Sequence, residues 1–117
     1  MKAETKVNAT VRTVAAINIP IELVNVDVTM FADIVKEMTE LYAKKNHDYG
    51  NSFEEGMNKI GMPYGIGRLY DKMNRILTLT KVKAEVNDES IEDTLKDLAC
   101  YSVMTLSYLR KKYGKLY

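Results

Sequence analysis

The chain has 117 residues, enough for one compact domain and too few for two of ordinary size. Its net charge of +1 excludes a strong overall attraction to DNA or to an anionic membrane, so direct nucleic-acid binding is not expected. The single cysteine excludes an intrachain disulfide and a cysteine-rich zinc site. No segment reaches the ~18 apolar residues of a membrane span, and the polar start lacks the apolar region of a signal peptide. We therefore expect a cytoplasmic protein.

The first 29 residues favour β-structure. Apolar and polar residues alternate over 6–12 and again over 21–28, and Pro20, which cannot donate to a ladder, stands between the two runs. This pattern predicts a β-hairpin within residues 1–29. A lone hairpin is only marginally stable in water, so this segment must pack on the body of the protein or pair with another chain. Pairing would make it an oligomerisation arm, which is the role we expect.

The apolar period becomes helical from Thr29 onward. Four helical segments are predicted in chain order, at residues 29–46, 54–60, 66–82 and 90–112. Three glycines and a proline in 61–67 predict a loop, and Asp88 or Ser90 can cap the last helix. The predicted fold is mainly α (α+β), with an N-terminal hairpin followed by three long helices and one short helix. Residues 30–117 would form the helical domain.

The last helix is predicted to be buried on two faces, because apolar residues surround it. One face carries Ile91, Leu95, Leu98, Thr105, Leu106 and Leu109, and the other carries Cys100, Tyr101, Met104 and Tyr108. The remaining helices hardly suffice to surround this helix. Either the hairpin or another subunit covers the second face, and we expect a homo-oligomer.

A basic stripe is the first candidate site. Arg68, Lys72 and Arg75 recur at i, i+4 and i+7 of one predicted helix, with Lys44 and Lys45 in the preceding segment. A multiply charged anion would relieve the repulsion among like charges, and guanidinium groups suit the oxygens of phosphate. The alternative is a solvated face in which Asp71 pairs with Arg75.

An acidic set is the second candidate. Glu89, Asp93 and Asp97 recur at i, i+4 and i+8, and carboxylates one turn apart can share Mg²⁺, which would bridge to phosphates. The alternative interpretation is structural: Glu89 and Asp93 suit the first turn of a helix, and Asp97 needs cationic partners in the middle of one.

The segment KKNHDYGNSF is the third candidate. His47 and Asp48 could form an acid–base pair, and Tyr49 or Phe53 could stack on a base. An aromatic residue before a glycine, beside lysines, suits a lid in which Lys45, Asp48 and Tyr49 close over a base or ribose. The alternative is a helix stop whose polar residues, including Asn46, act as local caps.

Three segments in this order, KNHDYGNSFEEG, GRLYDKMNRILTL and NDESIEDTLKDLACYSVMTL, resemble the phage and prophage nucleotide-modification-associated domain, the first family of that name. The resemblance runs from Phe31 to Leu109. It implies a mostly helical fold encoded near genes of nucleotide metabolism and DNA modification. The implied polar signature comprises Lys45, Asn46, Asp48, Tyr49, Gly50, Arg68, Lys72, Arg75, Glu89, Asp93 and Asp97.

A looser resemblance links the chain to the all-helical nucleoside triphosphate pyrophosphohydrolases. Their magnesium is held by a Glu-x-x-Glu motif and a second Glu-x-x-Asp motif on paired helices. Glu37 and Glu40 match the first motif, whereas Glu89, Glu92 and Asp93 match the second only in part.

These resemblances and the basic stripe lead to two functional expectations. The leading one is a phage-type protein without a cofactor that sequesters a phosphorylated or cyclic nucleotide signal made by a bacterial defence system. The alternative is a nucleotide-metabolism enzyme that hydrolyses a phosphoanhydride with Mg²⁺. A DNA-binding accessory protein fits less well, because the net charge is close to zero.

Overall fold

A computed structural model describes residues 10–49, 51–81 and 90–115, with the backbone alone described for Asp48 and Tyr49. The chain divides into two compact units, Met1–Lys44 and Lys45–Tyr117. The fold is mainly helical, and the predicted order of a hairpin, three long helices and one short helix is confirmed. None of the described helices is long and apolar enough to cross a membrane.

The first unit contains the antiparallel hairpin. Strand β1 (Val11–Val14) pairs with strand β2 (Ile17–Pro20), so that Val11 lies opposite Pro20. Ala15 and Ala16 connect the strands with φ angles of 48° and 66°. Two left-handed residues are what a type I′ turn requires, and this turn matches the right-handed twist of the paired strands. Its sequence carries neither the asparagine nor the glycine that usually signals such a turn.

The predicted strand boundaries are wrong. Pro20 ends the second strand, Ile21–Leu23 forms a 3₁₀ turn, and helix α1 (Val26–Tyr49) begins within the run predicted as a strand. The physical reason is Asn25, whose side-chain oxygen accepts a hydrogen bond from the Val28 N–H at 2.9 Å. This cap starts a helix that overrides the alternation of valines.

Two parts of the hairpin prediction stay untested. Residues 6–9 of the first predicted strand lie outside the described residues. The assignment of residues 1–29 as an oligomerisation arm also stays a prediction.

The second unit contains the end of α1 and the helices α2 (Ser52–Ile60), α3 (Met62–Lys81) and α4 (Ile91–Tyr113). The predicted loop at 61–67 is wrong, because α3 begins at Met62. Pro63 lies in the first turn of α3, where its missing N–H is not needed. Gly61 alone makes the connection, with a φ of 87° and an N–H donated to the Met57 carbonyl at 2.8 Å.

Helices α3 and α4 pack closely where Gly65 faces Thr105. A Cβ atom at Gly65 would lie 3.2 Å from both Met57 Sδ and Thr105 Oγ1, so glycine permits this close approach. Met57 is fully buried at this contact, and Thr94 is fully buried nearer the start of α4. The buried hydroxyl of Thr94 donates a hydrogen bond to the Ser90 carbonyl at 2.8 Å. This hydrogen bond offsets the cost of burying the hydroxyl.

Both predicted ends of α4 are confirmed. Ser90 and Asp93 form a capping box, and Asp88 lies outside the described residues. Gly114 follows the last turn with a φ of 78°, a left-handed conformation that glycine adopts without strain. The Tyr108 hydroxyl donates to Asn58 Oδ1 at 2.7 Å and so ties α4 to α2.

The expectation that α4 is buried on both faces is met in part. The face with Tyr101 and Tyr108 was expected to be covered by the hairpin or another subunit, but it meets α2 instead. Of the described residues on the other face, only Thr105 is buried, against α3. Tyr108 is buried and Tyr101 is half-buried on the side that faces α2. On the other side Leu95 and Leu106 keep 50% and 40% of their surface exposed. Leu95 and Leu106 remain exposed because α3 packs on α4 where Gly65 faces Thr105, and α2 covers only the side of α4 that carries Tyr108.

Candidate functional site

The carboxylate of Asp97 lies between two lysines from different helices. Lys72 of α3 places its Nζ atom 3.1 Å from Asp97 Oδ2, and Lys45 near the end of α1 places its Nζ atom 3.8 Å from Oδ1. The side chains of Asp97 and Lys72 are only 24% and 22% exposed, whereas that of Lys45 is 54% exposed. The sequence predicted that this mid-helix aspartate needs a partner from the basic stripe, and Lys72 is that partner.

Arg68 lies one turn before Lys72 and rests on two tyrosine rings. Its Cζ atom is 5.4 Å from the centre of the Tyr64 ring and 5.9 Å from that of Tyr101. The hydrogen bond that Arg68 donates to the Tyr64 hydroxyl raises the pKa of the guanidinium above its ordinary value, so Arg68 stays charged. These contacts hold a planar cation in place.

Three rings from three helices form an aromatic cluster, which consists of Phe53, Tyr64 and Tyr101. The centre of the Phe53 ring lies 5.6 Å from that of Tyr64 and 6.0 Å from that of Tyr101. Gly56 makes room for this arrangement, because a Cβ atom there would lie 2.5 Å from Tyr64 Cε2. The absence of a side chain in α2 therefore positions a ring that in turn positions Arg68.

The basic residues follow one another along one side of α3. Arg68, Lys72 and the half-buried Arg75 are spaced by about one turn each, and Lys45 approaches from the end of α1. We call these four residues the cationic cluster. Asp97 and Asp71 are the two carboxylates whose interactions with its members are described. Guanidinium and ammonium groups grouped in this way are suited to the oxygens of a phosphate.

Cys100 lies one turn after Asp97 on α4 and is half-buried. Burial raises the pKa of its thiol, the negative charge of Asp97 raises it further, and Lys45 lowers it. The thiol is therefore protonated near neutral pH, as expected of a packing cysteine rather than a nucleophile.

Asp93 serves the helix terminus. Its Oδ2 atom accepts hydrogen bonds from the Ser90 N–H at 3.4 Å and from the Ser90 Oγ at 3.0 Å. This is the structural role that the sequence allowed as the alternative to metal binding. Glu89 lies outside the described residues. Among the residues that the structure does describe, no three His, Cys, Asp or Glu side chains lie close enough together to hold a metal ion.

The predicted lid is part of a helix. Helix α1 continues through Lys45, Asn46, Asp48 and Tyr49, so the predicted end near Asn46 is wrong. Lys45 forms its ion pair with Asp97 as part of the cationic cluster, and Asn46 is exposed. The side chains of Asp48 and Tyr49, and all of Gly50, lie outside the described part of the chain.

Two residues of the site were missed in the sequence. Tyr101 was assigned to packing, yet it follows Asp97 by four residues and so lies on the same side of α4. Gly56 gave no signal, because its role depends on where the Tyr64 ring packs. The spacing from Asp97 could have revealed Tyr101.

One comparison with known proteins found a family match, and it lies within this unit. A family model described as nucleotide modification associated domain 1 matches residues 45–109, a segment that contains the cationic cluster, the aromatic cluster and Asp97. Neither the comparison with curated proteins nor the comparison with solved structures gave a significant match. The matched segment covers more than half of the 117 residues, and the chain therefore belongs to the nucleotide modification associated domain 1 family.

Proposed function

We propose that the protein binds a phosphorylated or cyclic nucleotide at the cationic cluster and sequesters it without turning it over. The observation that carries this proposal is the convergence of Lys45 and Lys72 on Asp97 beside Arg68, which is held on two tyrosine rings. The family's description, nucleotide modification associated domain, supports the same class of ligand.

The two lysines would have different roles in binding phosphate. Lys72 is shielded and 3.1 Å from Asp97, so it would keep its position when the ligand arrives. Lys45 is more exposed and 3.8 Å from Asp97, and such a contact contributes little to stability. Lys45 can therefore turn toward a phosphate at low cost, whereas the guanidinium of Arg68 offers paired donors for two oxygens.

The aromatic cluster would recognise the nucleoside part of the ligand. Nucleobases stack on tyrosine and phenylalanine rings, with about 1–3 kcal/mol per base in nucleic-acid complexes. Tyr64 and Tyr101 already hold Arg68, so a base beside them lies next to a phosphate-binding cation. We further propose that Asp48 and Tyr49 close over the base or ribose from the end of α1.

The carboxylates favour binding over hydrolysis as the proposed role. Asp93 caps α4, and Asp97 forms ion pairs with two lysines. The family resemblance supports a setting in the cytoplasm of a phage-infected bacterium, where the sequestered molecule would be a defence signal. The alternative function is hydrolysis of the nucleotide with Mg²⁺, and the following experiment distinguishes it from sequestration.

The direct test is to incubate the purified chain with a panel of nucleotides and cyclic nucleotides, with and without Mg²⁺. The protein is then separated from free ligand and heated, and the released molecule is identified by mass spectrometry. We expect one intact ligand per binding site. A cleaved product in excess over protein would show an enzyme, and the absence of any retained nucleotide would contradict nucleotide binding.

Variants test the position of the site. Arg68→Ala and Lys72→Ala each remove charge-assisted hydrogen bonds of about 1.5–3 kcal/mol, so we expect affinity to fall about 10–100-fold. Lys59→Ala is the matched control, because Lys59 is an exposed cation on α2 outside the cationic cluster. Full-strength binding by both folded site variants would place the ligand elsewhere.

A further inference from the structure

An apolar face lies exposed along the α3–α4 pair. It consists of Ile66, Tyr70, Met73 and Leu77 of α3 and Ile91, Leu95, Leu106 and Tyr113 of α4. Each of these eight side chains keeps between 38% and 66% of its surface exposed. Soluble monomers rarely expose contiguous apolar patches of this extent, and such patches commonly mark interaction sites.

The apolar face and the cationic cluster lie on opposite sides of the helix pair. At 100° per residue, the mean direction of Ile66, Tyr70 and Met73 lies about 180° from the mean direction of Arg68 and Arg75 around α3. Around α4, Leu95 lies about 160° and Leu106 about 180° from Asp97. The contacts of Lys72 with Asp97 and of Arg68 with Tyr101 fix which side of the pair carries the site.

The size of the apolar face matches one half of a stable dimer. Each side chain leaves roughly 100 Å² exposed, so the face offers roughly 800 Å² per copy, the area that one partner buries in a standard interface. The α3 residues recur at intervals of four, three and four, the spacing at which helices of a bundle interlock. A helix partner of similar length therefore fits this face.

We propose that a second copy of this chain covers the apolar face, so that two α3–α4 pairs form a four-helix bundle. A two-fold axis makes such a face its own partner and closes the assembly. The face consists of aliphatic, methionine and tyrosine side chains, which suit a contact with an identical apolar surface. The cationic cluster then remains open on the outer side of each copy. This proposal does not depend on the proposed function.

The first test is the mass of the full chain in solution, measured by analytical ultracentrifugation over a range of concentrations. We expect the wild type to associate and Leu77→Glu to raise the dissociation constant of the pair at least about 100-fold, because the change buries a charge in the interface. Ile60→Glu is the matched control: Ile60 is 60% exposed at the end of α2, and its change should leave the mass unaltered.

Circular dichroism and a nucleotide-binding measurement accompany the mass. Leu77 is 51% exposed in the single chain, so Leu77→Glu should keep its helical signal and its ligand affinity. A monomeric wild type would overturn the proposal. So would a Leu77→Glu variant that assembles like the wild type. A monomeric wild type that Leu77→Glu unfolds would show instead that the chain covers this face with a segment of its own.

Crosslinking provides a second test that does not depend on destabilising the interface. In a Cys100→Ser background, which removes the only native thiol, Tyr70→Cys and Met73→Cys are treated with a homobifunctional thiol crosslinker of about 10 Å reach, comparable to the spacing of packed helices. We expect a covalent dimer from at least one of them at micromolar concentration, and none from Ile60→Cys. Equal yields from all three would overturn the proposal.

Discussion

Asp97 is the residue that organises the candidate site. Its two oxygens hold Lys45 and Lys72 at 3.8 Å and 3.1 Å, in a setting where all three side chains retain some contact with water. Without this carboxylate two ammonium groups would face each other and repel. Asp97 therefore keeps two cations near one point in the absence of a ligand, and the energy at stake is modest because the setting is partly solvated.

The same electrostatics predict the acidity of Cys100. Burial and then Asp97 raise the pKa of the thiol, whereas Lys45 lowers it. We expect Asp97→Asn to move the thiol pKa down and Lys45→Ala to move it up. The pH dependence of alkylation by iodoacetamide measures both shifts. Because burial and Asp97 disfavour the thiolate, the free energy of unfolding should fall as the pH rises from the pKa of the unfolded thiol through the pKa of the folded thiol.

A midpoint for Cys100 alkylation that is the same in wild type and in folded Asp97→Asn would contradict the described proximity of these two groups. Lys81→Ala serves as a control, because Lys81 lies at the end of α3 and contributes nothing to the described shift of the thiol.

At the residue scale the sequence predicted part of the site. The spacing of Arg68, Lys72 and Arg75 was enough to place them on one side of a helix. The position of Asp97 between apolar residues in mid-helix was enough to predict that a cationic side chain pairs with it. Which cation it meets depends on how α3 and α4 are aligned. That alignment is set by the close contact at Gly65, which the sequence did not reveal.

At the scale of elements, the close packing of α3 on α4 requires a glycine at position 65 but not at position 67. A Cβ atom at Gly65 would press on Met57 and Thr105, whereas nothing lies within 4 Å of a Cβ atom at Gly67. We expect Gly65→Ala to lower the free energy of unfolding by about 1 kcal/mol, because overpacking of about 1–3 kcal/mol exceeds the gain in helix propensity.

Gly67→Ala is the matched change on the same helix. It should raise the free energy of unfolding by about 0.5–1 kcal/mol, because alanine favours the helix and meets no obstacle. Urea denaturation followed by circular dichroism compares the two variants. Equal effects of the two changes would contradict the packing described at Gly65.

Gly56 connects the packing of α2 to the site. A Cβ atom there would overlap the Tyr64 ring, and the ring would have to move away from Phe53 and Arg68. We expect Gly56→Ala to weaken nucleotide binding about tenfold although no cation is removed. Isothermal titration calorimetry measures the change. Unchanged affinity in the folded variant would mean that Tyr64 does not position Arg68 for the ligand.

The elements that sequence analysis placed correctly are those with a strong apolar period and a clear cap. Helix α4 has both, with Ser90 at its start and Gly114 after its end. The errors fall where two signals conflict. Alternating valines suggested a strand before Asn25 was seen to cap a helix, and Pro63 with its glycines suggested a loop although proline suits a first turn.

At the scale of the whole molecule, the α3–α4 pair separates two chemistries. One side carries the cationic and aromatic clusters, and the other carries the exposed apolar face. The sequence indicated that α4 is apolar on two sides, but it assigned the need for an outside partner to the face with Tyr101 and Tyr108, and that face meets α2 instead. It did not show which side the chain itself covers, because that depends on the placement of α2 beside Tyr108.

The most direct test of the central claim compares a nucleotide that the protein retains with the nucleoside of the same base, by calorimetric titration at low and moderate salt. Two or more charge-assisted contacts to phosphate should make the nucleotide bind at least about 100-fold more tightly than the nucleoside. Its affinity should also fall as salt rises. Equal affinities for the two ligands, with no dependence on salt, would contradict a phosphate site at Lys45, Arg68 and Lys72.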